Sequence, residues 1–297
     1  MDAGTTRQGQ PRGRAPVRAA GRAALSFALA ASLSACALSR HIVYAPLDRP
    51  VAIRAEPAGQ PQPVSVTTSD GLTLGGYYWP GRPNDPDIAV YFHGRHWNAE
   101  KSANSARYLA AGGHAVLVAS YRGFGGNPGS PTQKGLLRDA SAFIAKARDL
   151  RGPHARIWLV GHSIGGAVAL HAAAQEPGIS GVIALSSFVR IAEAAPRIAR
   201  GLIPDRWDNR AALAALHIPV LFVQGALDRY LPAGSAETLL AEYAGPAALI
   251  VGEHSRHNPD MAQIGPWLIR AMAAMTAGSV DTLPPLPPGW IETARKP

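Results

Sequence analysis

Short apolar runs alternating with helical stretches constrain this chain more than any other feature of its sequence. The runs Ile88–Phe92, Ala115–Ala119, Ile157–Val160, Gly181–Leu185, Val220–Val223 and Ala247–Val251 are four or five residues long and almost unbroken by polar side chains. A strand with one wet face would alternate, so continuous apolar runs of this length point to strands buried on both faces of a mostly parallel sheet. Between them, helical patterns fall near 99–111, 134–150, 165–175, 234–243 and 259–276. Ahead of the first run, Val64–Thr68 and Leu72–Trp79 flank Ser69-Asp70-Gly71, and Asp-Gly is a strong hairpin turn signal. An opening antiparallel hairpin followed by repeated β-α units predicts a three-layer α/β sandwich. A helical stretch at 191–202, between Ser186 and Pro219, is expected to form a small cap.

With 297 residues the chain can bury one large core. The net charge of +9 raises the possibility of a nucleic-acid partner. Five of the 29 basic residues (Arg7, Arg12, Arg14, Arg18, Arg22), but only Asp2 of the 20 acidic ones, precede residue 36, which leaves 24 against 19. About half of the excess charge thus lies in the leader. No basic cluster interleaved with aromatics stands out elsewhere, so nucleic-acid binding is not expected.

The leader reads as a secretion signal. Its basic stretch precedes the apolar run Ala23–Ala31, which is shorter than the roughly 20 residues a membrane span needs. The run ends in Leu33-Ser34-Ala35-Cys36, and Cys36 is the chain's single cysteine. That sequence resembles the lipobox of bacterial lipoproteins, which implies lipidation of Cys36 and cleavage before it. The expected organisation is a signal peptide over 1–35, a tether over 36–63, an α/β domain over 64–277 and a proline-rich tail over 278–297. With Pro284, Pro285, Pro287 and Pro288, the tail cannot be regular helix or central strand.

Chemistry points to Gly161-His162-Ser163-Ile164-Gly165, which follows one strand candidate and opens a helix. A sharp strand-turn-helix bend would expose the Ser163 hydroxyl, and Gly161 and Gly165 would be needed because a Cβ at either would strike neighbouring backbone. A serine hydroxyl needs a base, and the base needs an orienting acid. Asp228 follows the strand Val220–Val223, where the acid of such a set belongs. The turn after the last strand offers two histidines, His254 and His257. Donors for a developing oxyanion are expected from the backbone of Ile164 and of Gly94 or Arg95, in the loop after Phe92. His93 and His96 have metal-like spacing but no third ligand at a fitting interval, so no metal is expected. The stretch Tyr121–Gly126 lacks the pattern of a phosphate cradle and reads as a wall of the pocket.

Taken in order, "TTSDGLTLGGYYWP", "VYFHGRHWN", "SYRGFGGNPGSPTQKGLLRDA", "LVGHSIGGAVAL", "PVLFVQGALDRYLP" and the "HN" at 257–258 resemble the α/β-hydrolase superfamily, and within it the membrane-tethered ABHD-like serine hydrolases. The likeness spans roughly residues 64–276. It implies a Ser163–His257–Asp228 triad, since the family's histidine directly precedes an asparagine, and His257 has the longer reach from its strand. It also implies a serine hydrolase that needs no cofactor, acts on a small acyl substrate (an ester, thioester or amide), and works as a monomer. Combined with Cys36, it implies a protein anchored by lipid in a bacterial envelope, facing the periplasm, with the outer membrane preferred. Two departures stand out: Arg95 where relatives often have asparagine, and the extra His254. The rival readings are an aminopeptidase or prolyl-type peptidase on the same fold, and a non-catalytic envelope binding protein.

Overall fold

The computed structural model describes Met1, Gly4 and residues 43–296, apart from 195, 196, 204 and 279. Among the described residues, nine strands form a single sheet: β1 (Gln62–Thr67), β2 (Thr73–Trp79), β3 (Asp87–Phe92), β4 (Ala115–Ala119), β5 (Arg156–His162), β6 (Ile179–Leu185), β7 (Val220–Gly225), β8 (Ala247–Gly252) and β9 (Trp290–Lys296). Their spatial order is β1-β2-β4-β3-β5-β6-β7-β8-β9. Strands β3 to β8 run parallel, while β1, β2 and β9 are antiparallel to their neighbours. The helices are α1 (Ala99–Ala110), α2 (Gln133–Arg151), α3 (Ile164–Ala173), α4 (Asn209–Leu213), α5 (Ser235–Glu242) and α6 (Met261–Thr276).

The apolar strand runs split by alternation into two cores. On β3, Ile88, Val90 and Phe92 join α2, α3, α4 and α5 on one face. Ala89 and Tyr91 join α1 and α6 on the other. Successive side chains on a strand point to opposite faces, so a run apolar at every position is what a sheet covered on both sides requires. This is the expected three-layer sandwich. Side chains of Asn98, Thr132 and Asp260 cap α1, α2 and α6 by accepting from first-turn amides. The hairpin closes at the expected Asp70-Gly71, with Gly71 in the left-handed region.

Three segments differ from the sequence-based expectation. The tether expected over 36–63 is, from Val43 onward, packed onto the domain. Val43 and Tyr44 are buried, the Tyr44 hydroxyl accepts from Trp207 Nε1 (2.8 Å) and donates to Asp205 Oδ2 (2.8 Å), and Trp79 Nε1 donates to the Gly59 carbonyl. The tail expected over 278–297 ends in an edge strand, β9, once its prolines are passed, with Trp290 buried. The cap carries 3-10 turns at Ile191–Ala194 and Arg197–Leu202, not one continuous helix, and α4 follows them. Cys36 and the leader, Met1 and Gly4 apart, lie outside the described residues. No helix among the described residues is long and apolar enough to cross a membrane.

Candidate active site

The C-terminal ends of the parallel strands bring the nominated residues together. Ser163 sits between β5 and α3 with φ 57° and ψ −117°, a left-handed conformation rare for a residue with a Cβ. It persists because both sides are fixed: the Ser163 amide donates to the Leu185 carbonyl (2.8 Å), and the Gly166 amide donates to the Ser163 carbonyl (2.9 Å). A Cβ on Gly161 would lie inside the Gly165 carbonyl, and one on Gly165 would lie inside the Phe92 carbonyl. Both glycines are therefore dictated by contact between α3 and the strands beneath it. Ser163 is left about 9% exposed.

The loop after β8 carries His257 to this serine. His257 Nε2 lies 3.0 Å from Ser163 Oγ, and its Nδ1 lies 2.8 Å from Asp228 Oδ2. An ionised carboxylate can only accept, so Nδ1 holds the proton and Nε2 presents its lone pair to the serine hydroxyl. Asp228 stands in the loop after β7. Its Oδ2 also accepts from Gln224 Nε2 (2.9 Å), and its Oδ1 from the Tyr230 amide (2.8 Å). Burial works against its charge, but hydrogen bonds from His257 and the Tyr230 amide outweigh it and hold the carboxyl below its ordinary range. The Tyr230 ring lies over His257 at 5.1 Å. His254 is exposed and lies near Gly289. Asp260 caps α6 and Glu253 is exposed.

Strand register brings the loop after β3 to the same place, because Phe92 pairs with Gly161. Gly94 packs against the His162 ring, and Arg95 follows it. Ile164 is the first residue of α3, so its amide belongs to the helix's unpaired first turn. His93 is buried against Tyr121 and Phe124, with Nδ1 donating to the Gly94 carbonyl (2.9 Å). Burial lowers its pKa to about 4. His96 is exposed, so the two histidines do not converge. No group of three metal-ligating side chains occurs among the described residues. Arg122 turns away to Asp139 (2.7 Å) and Asp70 (2.8 Å), which ties the loop at Tyr121–Gly126 to α2 and to the hairpin.

Sequence reasoning missed His162 and Gln224. The fully buried His162 ring places Nε2 at 2.9 Å from the His257 carbonyl and lies tilted against Trp97 at 5.0 Å. Its place inside the glycine-serine motif was visible, but its partner 95 residues away was not.

Comparison with known proteins bears on the family and the fold. Residues 86–204 fit the model of a hydrolase family described as serine aminopeptidase, S33. The uncharacterized protein Rv2307c of Mycobacterium tuberculosis is 35% identical over 230 residues, covering 74% of this chain and 80% of the relative. The chain belongs to the α/β-hydrolase superfamily. Among solved structures of this superfamily fold, an esterase of Pyrococcus furiosus superposes with a TM-score of 0.60 at 17% identity, covering 79% of this chain and 97% of that one. A puromycin-hydrolyzing peptidase of Mycobacterium tuberculosis gives 0.61 at 18% identity, covering 78% of this chain and 41% of that one.

Proposed function

We propose that this α/β hydrolase is a serine hydrolase that cleaves an ester, thioester or amide through an acyl-enzyme. The observation that carries the reading is the unbroken hydrogen-bond chain from Ser163 Oγ through the His257 ring to Asp228. Ser163 Oγ attacks the acyl carbon while His257 Nε2 takes its proton, and the ionised Asp228 stabilises the imidazolium that forms. The carbonyl oxygen, now an oxyanion, is held by the Ile164 amide and by an amide of Gly94 or Arg95. Collapse of the tetrahedral intermediate expels the leaving group, which takes the proton from His257. Water, activated by the same imidazole, then attacks the acyl carbon, and Ser163 leaves with its proton restored. None of these steps calls for a cofactor. Ester hydrolysis is the primary reading. Peptide-bond cleavage is the second, favoured by the family description and by the peptidase neighbour.

The defining experiment compares wild type with Ser163→Ala on p-nitrophenyl esters of increasing chain length and on aminoacyl nitroanilides. Loss of the nucleophile is expected to lower kcat by about 10⁶-fold with the fold unchanged. Equal turnover by the variant would remove Ser163 from the chemistry, and a wild type that neither turns over nor reacts with a fluorophosphonate would favour the binding-protein alternative.

The same proposal makes the protein a monomeric ABHD-like lipoprotein, lipidated at Cys36 and held in the bacterial envelope facing the periplasm. Its support is the basic and apolar leader ending in Leu33-Ser34-Ala35-Cys36. One acyl chain anchors only marginally, so a multiply acylated Cys36 is expected at the mature N-terminus. Mass spectrometry of the N-terminal peptide, beside Cys36→Ser, reads this directly. An unmodified Cys36 in the membrane fraction would refute it.

A further inference from the structure

Some of the molecule's cations have carboxylate partners and some do not, and three near the site are among those without. Arg122, Arg138, Arg148, Arg156, Arg190, Arg210 and Arg295 each ion-pair with a carboxylate. Arg49, Arg95 and Lys101 make no such pair among the described residues. Arg95 is half-buried, and its Nε is enclosed with no hydrogen-bond partner. Lys101 lies 5.1 Å over the Trp97 ring, and that ring lies against His162, the residue before Ser163. Arg49 belongs to the packed N-terminal segment: its carbonyl accepts from Asn98 Nδ2 (3.1 Å), and nearby the Leu47 amide donates to the Trp97 carbonyl. Glu100, next along the chain from Lys101, accepts instead from the Tyr77 hydroxyl.

Burial disfavours the charged forms of Arg95, His96 and Lys101, and for the last two a neighbouring cation adds to it. Burial lowers the pKa of Arg95 with no acid opposing it. Burial, then Arg95 and Lys101, lower that of His96, and burial, then Arg49, lower that of Lys101. A guanidinium partly withdrawn from water without an acceptor is costly, and a bound anion that takes its fork of donors removes the cost. Proximity to the reacting serine follows from the chain itself, because Arg95 directly succeeds Gly94, which packs on His162.

We propose that the site takes acyl substrates bearing an anionic group, a carboxylate or phosphate, received by the Arg95 side chain within the field of Lys101 and Arg49. The inference rests on the serine-hydrolase reading for its chemistry but not for its binding step. The anion belongs either to a soluble acidic ester or to the headgroup of an anionic lipid, and the test separates the two.

The purified full-length protein is assayed on p-nitrophenyl butyrate and on the mono-p-nitrophenyl ester of glutaric acid, which differ in a distal carboxylate. The kcat/KM ratio, anionic over neutral, is expected to exceed one by roughly tenfold at low salt and to fall as salt screens the cations. Arg95→Met keeps the backbone amide and is expected to lower that ratio about tenfold. Arg95→Lys should restore part of it, and Lys101→Met should lower it less. In parallel, Ser163→Ala is titrated calorimetrically with glutarate, which needs no turnover. Arg95-dependent glutarate binding without hydrolysis of any ester would leave the anion site standing and refute the hydrolase reading. A preference for phosphatidylglycerol over phosphatidylcholine in vesicles, lost in Arg95→Met while the glutarate ratio stays at one, would assign the anion to a lipid headgroup. A ratio of one in wild type that is insensitive to salt, with no glutarate binding and no lipid preference, overturns the proposal even if Arg95→Met fails to fold.

Discussion

At the scale of single residues, His162 is where the structure adds most to the sequence. A carbonyl can only accept, so the contact with His257 fixes the His162 proton on Nε2. A second proton would have to sit on Nδ1, which is enclosed without a partner. Burial, followed by the nearness of His257, accordingly lowers the pKa of His162 to about 3. The ring is thus a neutral brace between the backbone of the loop that carries His257 and Gly94. Under the proposed chemistry it is a positioning residue, and His162→Phe, which keeps a ring but not the donor, should lower kcat roughly tenfold, the worth of about one hydrogen bond. KM should change little, and His162→Gln, with a donor of similar reach, should recover part of the loss. Steady-state kinetics of the three proteins test this, and a pure KM effect or no rescue by glutamine would rule out the bracing role. Ser163 and Asp228 could be nominated from the sequence because each follows a legible strand, Ser163 in a glycine-flanked turn that opens a helix and Asp228 as the first carboxylate of its loop. His257 could be separated from His254 only by family likeness and loop reach, since both follow β8. His162 acts through a contact 95 residues away, which no local pattern records, and Gln224 through Asp228, four residues on, by a loop geometry that residue spacing does not specify.

Among the elements, those with a strong period were the legible ones. Strands β3 to β8 and helices α1, α2, α3, α5 and α6 fall within a few residues of their expected positions, because burial on both sheet faces or along one helix stripe writes itself into the sequence. Strand β9 escaped notice. Its Trp290-Ile291-Glu292-Thr293-Ala294-Arg295-Lys296 lies at the sheet edge, where only Trp290 is buried and no alternation is enforced. The segment from Val43 was equally silent, since it docks through backbone groups and single side chains such as Tyr44 without a repeating face. Trp290 nonetheless closes the end of the sheet: it pairs with Gly252, its ring leaves no room for a Cβ there, and its Nε1 donates to Gln263 Oε1 (3.4 Å). Trp290→Ala should cost about 3–5 kcal/mol, the range for truncating a buried aromatic. Because Gly252 leads into the loop that carries His257, the hydrolysis proposed for this site should fall as well. Equilibrium urea unfolding would measure the loss, and a cost below about 1 kcal/mol would mean that β9 contributes little to the sheet.

For the molecule as a whole, buried histidines set how stability responds to acid. Burial lowers the pKa of His93 to about 4, that of His162 to about 3, and that of His171 below its ordinary value. In the unfolded chain each titrates near 6.5. Above that value they are neutral in both states and contribute no slope. As pH falls below it, the unfolded chain takes up protons that the folded protein refuses, so stability falls by about 1.4 kcal/mol per pH unit for each such histidine. The window runs from about 6.5 down to about 4 for His93 and about 3 for His162. Asp228 adds the same sign at the acid end: its pKa is lowered by folding, so the stability it contributes is lost as pH falls through its folded value. Asp139 opposes them, because its burial, outweighing the Arg122 contact, raises its pKa and makes the folded state the better proton acceptor in the carboxylate range. One group against three histidines cannot reverse the trend between pH 6.5 and 5. The unfolding free energy from urea titrations should therefore change little between pH 8 and 7 on account of these groups and fall steeply from 6.5 to 5. In His93→Phe, whose ring would keep the company of Tyr121 and Phe124, the slope in that window should be shallower by about one proton. A slope unchanged in His93→Phe would mean that the residue is protonated in the folded protein, and that the loop beside Gly94 admits water.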